Sequence, residues 1–245
     1  MKEFIYGRNP VYETLRAKRR QFFQLLLSEG AQEKGRLAEI VQMARAQRIP
    51  VSRAPRKRME RIARNNQGVA LEAGGYPYHN VSDIVDKAEA RGEPLFVLLL
   101  DTLQDPQNFG TLLRTAEAVG VHGVIIPLAR TAQVTAAVVN ASSGASEHLL
   151  IAQANLAQAI GQLKKAGAWI VGLEGSEQAQ NPDAIRLDGA TGIVVGSEGR
   201  GMRPLVRKSC DFLLKLPMQG EIESLNAAVA GSVALYLAYL ERNKR

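Results

Sequence analysis

The chain has 245 residues, enough to bury a sizeable core as one large domain or two small ones. With 46% apolar and 22% charged residues it has the make-up of a globular protein, which excludes wholesale disorder; its one cysteine, Cys210, excludes an internal disulfide and suits a reducing, cytoplasmic setting. The net charge of +7 is unevenly spread, with 16 Lys or Arg against 7 Asp or Glu in residues 1–75 and 15 against 17 in the remainder, so the first part is expected to face a polyanion.

Residues 1–10 carry charges where a secretory segment would be apolar, so no leader is expected there. Asn9 can cap a helix with Pro10 in its first turn, running through Val11 and Leu15. FFQLLL (Phe22 to Leu27) reads as a strand, and Leu37, Ile40, Val41 and Ala44 mark a helix face. The densest basic run, Arg53 to Arg64, holds six bases and one acid and reads either as a solvated helix face or as a nucleic-acid contact. GVALEA (Gly68 to Ala73) closes a small α/β module over residues 1–75. Residues 76–92 look like a connection in which VSDIVDKAEARG can form a short helix.

From residue 93 to 245 the pattern changes. LFVLLL, GVIIP, HLLIA, AWIVGL, TGIVVG and DFLLKL are short and nearly all apolar. Continuous rather than alternating apolar strands imply a sheet covered on both faces, hence a mostly parallel α/β domain with a ligand beyond the carboxyl ends of its strands. Thr111 to Val119, Asn155 to Lys165 and Ser224 to Leu240 carry helical periodicity between them. The last is the longest uncharged stretch, but its 17 residues fall short of the roughly 20 needed to span a bilayer.

No dinucleotide fingerprint, Walker sequence, nucleophile elbow or metal-ligand cluster is present, and the three histidines are scattered. What remains is a pair of glycine-rich turns after apolar strands. In VVGSEGRGM the chain leaves a strand at Val195 and turns through Gly196, Gly199 and Gly201; in LPMQGEIESLN a second turn follows Leu216, with Ser224 placed to cap the last helix. Either these are plain strand-to-helix turns, or together they clamp an adenosine through backbone groups, with Leu216, Met218 and Leu225 as apolar walls.

Three segments, DPQNFGTLLRTAEAVG (Asp105 to Gly120), VVGSEGRGM (Val194 to Met202) and LPMQGEIESLNAAVAGSVALY (Leu216 to Tyr236), taken in this order, resemble the three motifs of the SpoU (TrmH-like) RNA 2'-O-methyltransferases. YGRNPVYETLRA and NQGVALEA resemble the substrate-binding domain of the bacterial members that methylate guanosine in 23S rRNA, although Asn66 stands where many relatives carry His. The resemblance implies a C-terminal domain with a deep trefoil knot and a small N-terminal α/β domain like ribosomal protein L30e. It implies S-adenosyl-L-methionine as cofactor with no metal, held by Val195, Gly196, Gly201, Leu216, Met218, Ser224 and Leu225. It also implies a catalytic group of Asn108, Arg114, Glu198, Ser224 and Asn226, and a homodimer through the C-terminal domain.

On the residues alone, Asn108 reads equally as a helix N-cap and Arg114 as an exposed helical side chain. A guanidinium is effectively always protonated, so Arg114 is expected to orient a substrate phosphate and stabilise a developing alkoxide, with formal proton acceptance open. Ribosomal RNA is the expected partner, through Arg8, Arg53, Arg56, Lys57, Arg58, Arg61 and Arg64; a tRNA ribose methylase and a catalytically silent RNA-binding protein are the alternatives.

Overall fold

The computed structural model describes residues 2–222 and 224–244 and divides into two compact units. The N-terminal unit runs to Pro77 and takes in Gln133–His148; the C-terminal unit comprises Tyr78–Ala132 and the chain from Leu149 onward. Residues 133–148 thus pack with the basic module, although their place in the sequence puts them among the apolar strands.

In chain order the N-terminal unit contributes β1 (Lys2–Tyr6), α1 (Arg8–Ala17), β2 (Phe22–Ser28), α2 (Arg36–Ala46), β3 (Val51–Ala54), α3 (Arg56–Ile62) and β4 (Val69–Gly74). The C-terminal unit follows with α4 (Val81–Arg91), β5 (Phe96–Leu100), α5 (Pro106–Ala118) and β6 (Gly123–Ile126). The chain returns to the first unit for α6 (Ala136–Ala141) and a 3-10 turn, Ala145–His148. It then completes the second with β7 (Leu150–Gln153), α7 (Leu156–Lys165), β8 (Trp169–Leu173), β9 (Thr191–Val195), α8 (Pro204–Ser209), β10 (Phe212–Leu214) and α9 (Ala227–Arg242).

The four strands of the N-terminal unit lie in the order β1-β4-β2-β3, antiparallel except for the β2–β3 pair. Gly7, at φ 87°, precedes α1 in place of the anticipated Asn9 cap, which lies one residue inside the helix. The reason is the tight exit from β1, which needs a positive φ that asparagine would adopt less readily.

The inserted stretch is tied in by buried charge. Arg20, its side chain fully buried, donates from Nε and Nη2 to the Glu147 carboxylate at 2.8 Å each and from Nη1 to Glu3 at 2.6 Å. Burial alone would pull the Arg20 pKa down, but the hydrogen bonds and charges of Glu147 and Glu3 outweigh it and hold it above the ordinary arginine value. Glu3 also accepts from the Ala136 amide at 2.8 Å, so two acids and one base join β1, the chain before β2 and the inserted residues.

The C-terminal sheet has six parallel strands in the order β10-β8-β9-β5-β6-β7. Val97, Leu99, Ile125, Ile170 and Val194 face a core shared with Ile84 of α4, Ile160 and Leu163 of α7 and Val206 of α8, all less than 3% exposed. Helices α5 and α9 cover the other face, where a Cβ on Gly231 would come within 2.6 Å of Leu112 and 2.9 Å of Val195. Glycine there lets α9 lie directly on β9 and α5, and the Thr115 and Ser232 hydroxyls bond at 2.9 Å across the contact. The 17-residue uncharged stretch is therefore a packing helix, and no helix among the described residues is long and apolar enough to cross a membrane.

Candidate active site

A crevice of about 810 Å³ opens at the carboxyl ends of three neighbouring strands, β8, β9 and β10. This is where a parallel sheet exposes loops rather than helices, and the volume lies within the range of small-molecule sites, about 300–1,000 Å³. Its walls are the chain leaving β8 (Leu173, Glu174, Gly175), the glycine-rich loop after β9, and residues 214–218, 224–227 and Ala230.

The loop after β9 folds back on itself. Ser197 and Gly201 exchange backbone hydrogen bonds of 3.0 and 2.9 Å. A Cβ on Gly196 would stand 2.3 Å from the Gly201 carbonyl carbon and 2.4 Å from the Met202 nitrogen, so only glycine fits where the strand meets its own returning loop. Gly199 and Gly201 take φ of 75° and 64°. The glycines thus serve a hairpin that folds onto its own base.

Three polar side chains from separate elements converge beside this loop. Asn108, in the first turn of α5, donates to Glu198 Oε1 at 2.5 Å, and Asn226 Nδ2 donates to the same oxygen at 2.7 Å and to Asn108 Oδ1 at 3.1 Å. Asn226 Oδ1 in turn caps α9 by accepting from the amides of Ala228 and Val229. Asn226, not the anticipated Ser224, is therefore the N-cap, because α9 begins two residues later than its apolar run suggests. Asn108 is not a cap either. Asp105 fills that position, accepting from the Gln107 and Asn108 amides, which leaves the Asn108 side chain for Glu198.

Val195, Gly196, Gly201, Leu216, Met218, Ser224 and Leu225 all line the crevice, as do Glu198 and Asn226. Arg114 stands on the exposed side of α5, six residues on from Asn108, and is not part of the crevice wall. The seven basic residues singled out in the sequence all lie in the N-terminal unit. Arg53 is paired with Glu33 at 2.7 Å and Arg56 with Glu60 at 2.8 Å, and Arg8 Nε bonds the Gln67 carbonyl. Lys57, Arg58, Arg61 and Arg64 are exposed and form no ion pair among the described residues.

Sequence reasoning missed Glu174, which lines the crevice just past the end of β8. Hydrogen bonds from the Arg207 guanidinium, at 2.6 and 2.9 Å, hold its carboxyl below the usual carboxylate range, so it faces the crevice as an anion. AWIVGL signals a strand, but only the order of the sheet brings the end of that strand to the crevice.

Residues 95–236 match the SpoU rRNA Methylase family, and residues 4–79 match the RNA 2'-O ribose methyltransferase substrate-binding domain. The chain belongs to the SpoU family. As an RNA 2'-O ribose methyltransferase of the TrmH/SpoU kind it is 39% identical over 98% of its length to YacO of Bacillus subtilis, which is named for the TrmH family of tRNA/rRNA methyltransferases and is covered to 96%. Its fold is similar to that of the SpoU methyltransferase AviRb from Streptomyces viridochromogenes in complex with AdoMet, with a TM-score of 0.80 and 22% identity over 98% of this chain and 90% of that one. The AdoMet-bound rRNA methyltransferase from Sinorhizobium meliloti is similar in fold too, with a TM-score of 0.79 and 23% identity over 97% and 86%. In this SpoU chain the three segments that carry the resemblance are those that meet around the crevice and the Asn108–Glu198–Asn226 group.

Proposed function

We propose that this SpoU chain transfers a methyl group from S-adenosyl-L-methionine to a ribose 2'-hydroxyl, with a guanosine in the peptidyl-tRNA-binding loop of cytoplasmic 23S rRNA as target. The observation that carries the reading is the convergence of Asn108, Glu198 and Asn226, far apart in sequence, at the rim of one crevice.

The crevice fits the cofactor chemically. The amides of Leu216, Met218 and Leu225 bond to no other described residue, which leaves donors for the edge of an adenine. Leu173, Val195, Leu216 and Leu225 give apolar walls, and the carboxylates of Glu174 and Glu198 suit a ligand carrying a sulfonium. No group of three or more His, Cys, Asp or Glu that could hold a metal occurs among the described residues, and methyl transfer from a sulfonium has no need of one.

When bound, the cofactor supplies a methyl on an already activated leaving group, so the protein's tasks are positioning and proton removal. Asn226 joins the cap of α9 to Glu198, and Asn108 joins α5 to the same carboxylate, so the two motifs hold the loop after β9 in a fixed relation to both helices. Arg114 then orients a substrate phosphate and stabilises the developing alkoxide. Lys57, Arg58, Arg61 and Arg64 bring RNA to the N-terminal unit through its phosphates. The C-terminal unit is further expected to carry the family's trefoil knot. Val229, Val233, Tyr236 and Leu240 form one face of α9, between 40% and 54% exposed, and this face suits an isologous dimer.

The test is to map 2'-O-methylation across ribosomal and transfer RNA from cells with and without this chain. Loss at one 23S guanosine supports the reading; loss confined to tRNA replaces it with the tRNA enzyme; no loss anywhere, with no cofactor binding, leaves a silent RNA-binding protein.

A further inference from the structure

Asp101 and Arg203 form a pair that no motif accounts for. Asp101 directly follows β5 with no exposed surface, its amide donating to the Val195 carbonyl at 2.8 Å. Its Oδ2 accepts from the Arg203 backbone amide and its Oδ1 from Arg203 Nε, both at 2.7 Å. A buried carboxylate must be satisfied, and here one residue satisfies both oxygens. The mode of pairing matters. Asp101 takes the guanidinium at Nε, on its inner edge, rather than across the two terminal nitrogens, so Nη1 and Nη2 keep their N–H groups and bond to no described residue.

Half of the Arg203 side chain is exposed, and it lies two residues past Gly201, which lines the crevice, without lining the crevice itself. Two other arginines of the same unit commit terminal nitrogens internally: Arg207 Nη2 on Glu174 and Gln178, and both terminal nitrogens of Arg242 on the Gly189 and Pro94 carbonyls. A guanidinium fixed from behind, with an open fork in front, loses little freedom on meeting a tetrahedral oxyanion and matches two of its oxygens at once.

We propose that Arg203, oriented by Asp101, is an RNA phosphate anchor next to the crevice, gripping a phosphodiester that flanks the target ribose. The proposal rests on the RNA-methylation reading above. A nucleic-acid phosphate is the favoured anion over the cofactor's carboxylate because the fork stands outside the crevice wall while the loop it grows from forms part of that wall.

Arg203→Gln isolates the effect, since the glutamine amide nitrogen occupies the place of Nε and keeps the Asp101 contact while the fork and its charge are lost. Binding of S-adenosyl-L-methionine and of a mixed-sequence single-stranded RNA is measured by calorimetry over a range of salt, with KM and kcat on ribosomal RNA. In Arg203→Gln we expect cofactor affinity within about twofold of the unaltered chain, RNA affinity and KM worse by about tenfold, and kcat nearly unchanged. The slope of log affinity against log salt should fall by about 0.7–0.9, one phosphate's worth. Arg203→Lys should restore that slope but only part of the affinity, as a point charge lacks the fork.

An unchanged RNA slope and KM in Arg203→Gln would reduce Arg203 to a loop clamp and overturn the anchor. Loss of cofactor affinity with RNA binding intact would overturn it in favour of the carboxylate. Failure of the unaltered chain itself to bind or methylate RNA would overturn the parent reading along with it.

Discussion

In the N-terminal unit Arg20 and Glu147 lie with fully buried side chains, closed off from water, and their partner Glu3 is mostly covered. In the C-terminal unit Glu198 is exposed at a crevice, shared between two neutral amides. The first arrangement spends its charges on one another and can do nothing but hold β1 and the inserted residues together. The second leaves Glu198 Oε2 without a bond to any described residue and a carboxylate facing a ligand-sized space. Burial thus separates a charge closed on its partners from one left open to a ligand-sized space, and this separation can be tested in each unit on its own.

The largest expected effect is on stability. Glu147→Ala leaves the buried Arg20 cation with Glu3 as its remaining acid partner, and breaking a buried pair from one side costs about 3–5 kcal/mol. Urea unfolding of the two proteins measures it, and a change below about 1 kcal/mol would mean that water reaches Arg20. Next comes Glu198→Gln, which keeps an acceptor for both amides but removes the charge. It should lower kcat by roughly 100-fold, about 2.7 kcal/mol, and move stability by less than about 0.5 kcal/mol. Equal losses of stability and activity would make Glu198 as structural as Glu147.

Replacing Lys57, Arg58 and Arg61 together by alanine should weaken RNA binding by roughly ten- to a hundredfold at moderate salt, with cofactor affinity unaltered. Titrations at two salt concentrations decide this, the gap between variant and parent narrowing as salt rises.

The smallest effect is a pH dependence in the C-terminal unit. His122 Nδ1 accepts from the Phe96 amide at 3.0 Å and Nε2 meets Glu93 at 2.9 Å. Burial, only partly offset by Glu93, holds its pKa below the ordinary 6.5. The unfolded chain therefore takes up this proton more readily than the folded one. The stability contributed by neutral His122 is whole above about pH 6.5 and declines as pH falls toward the folded value. Thermal unfolding between pH 5 and about pH 8 should show that decline, and His122→Asn, which keeps an acceptor for Phe96, should flatten it.

Much of this molecule is legible along the chain. The six apolar runs became the six parallel strands, and residues of both glycine-rich turns line the crevice. Those features are local: a strand buried on both faces is apolar throughout, and a chain that must double back at its own strand end needs glycine wherever it does so. The apolar run of the last helix was equally visible, but its start was not, because Asn226 and Ser224 are both good caps and the packing of α9 on β9 and α5 selected between them.

What the amino-acid sequence determined by itself is which segments are strands, which are helices and which turns can surround a small ligand, since period and residue type report each residue's own burial. What only the tertiary structure decided is partnership: Glu147 for Arg20, 127 positions away, Arg203 for Asp101, 102 away, and the end of β8 for the crevice wall. The physical reason is that a charge or an amide carries no mark of the group that will satisfy it. That choice falls to the order in which strands pack, and strand order is settled by the core as a whole.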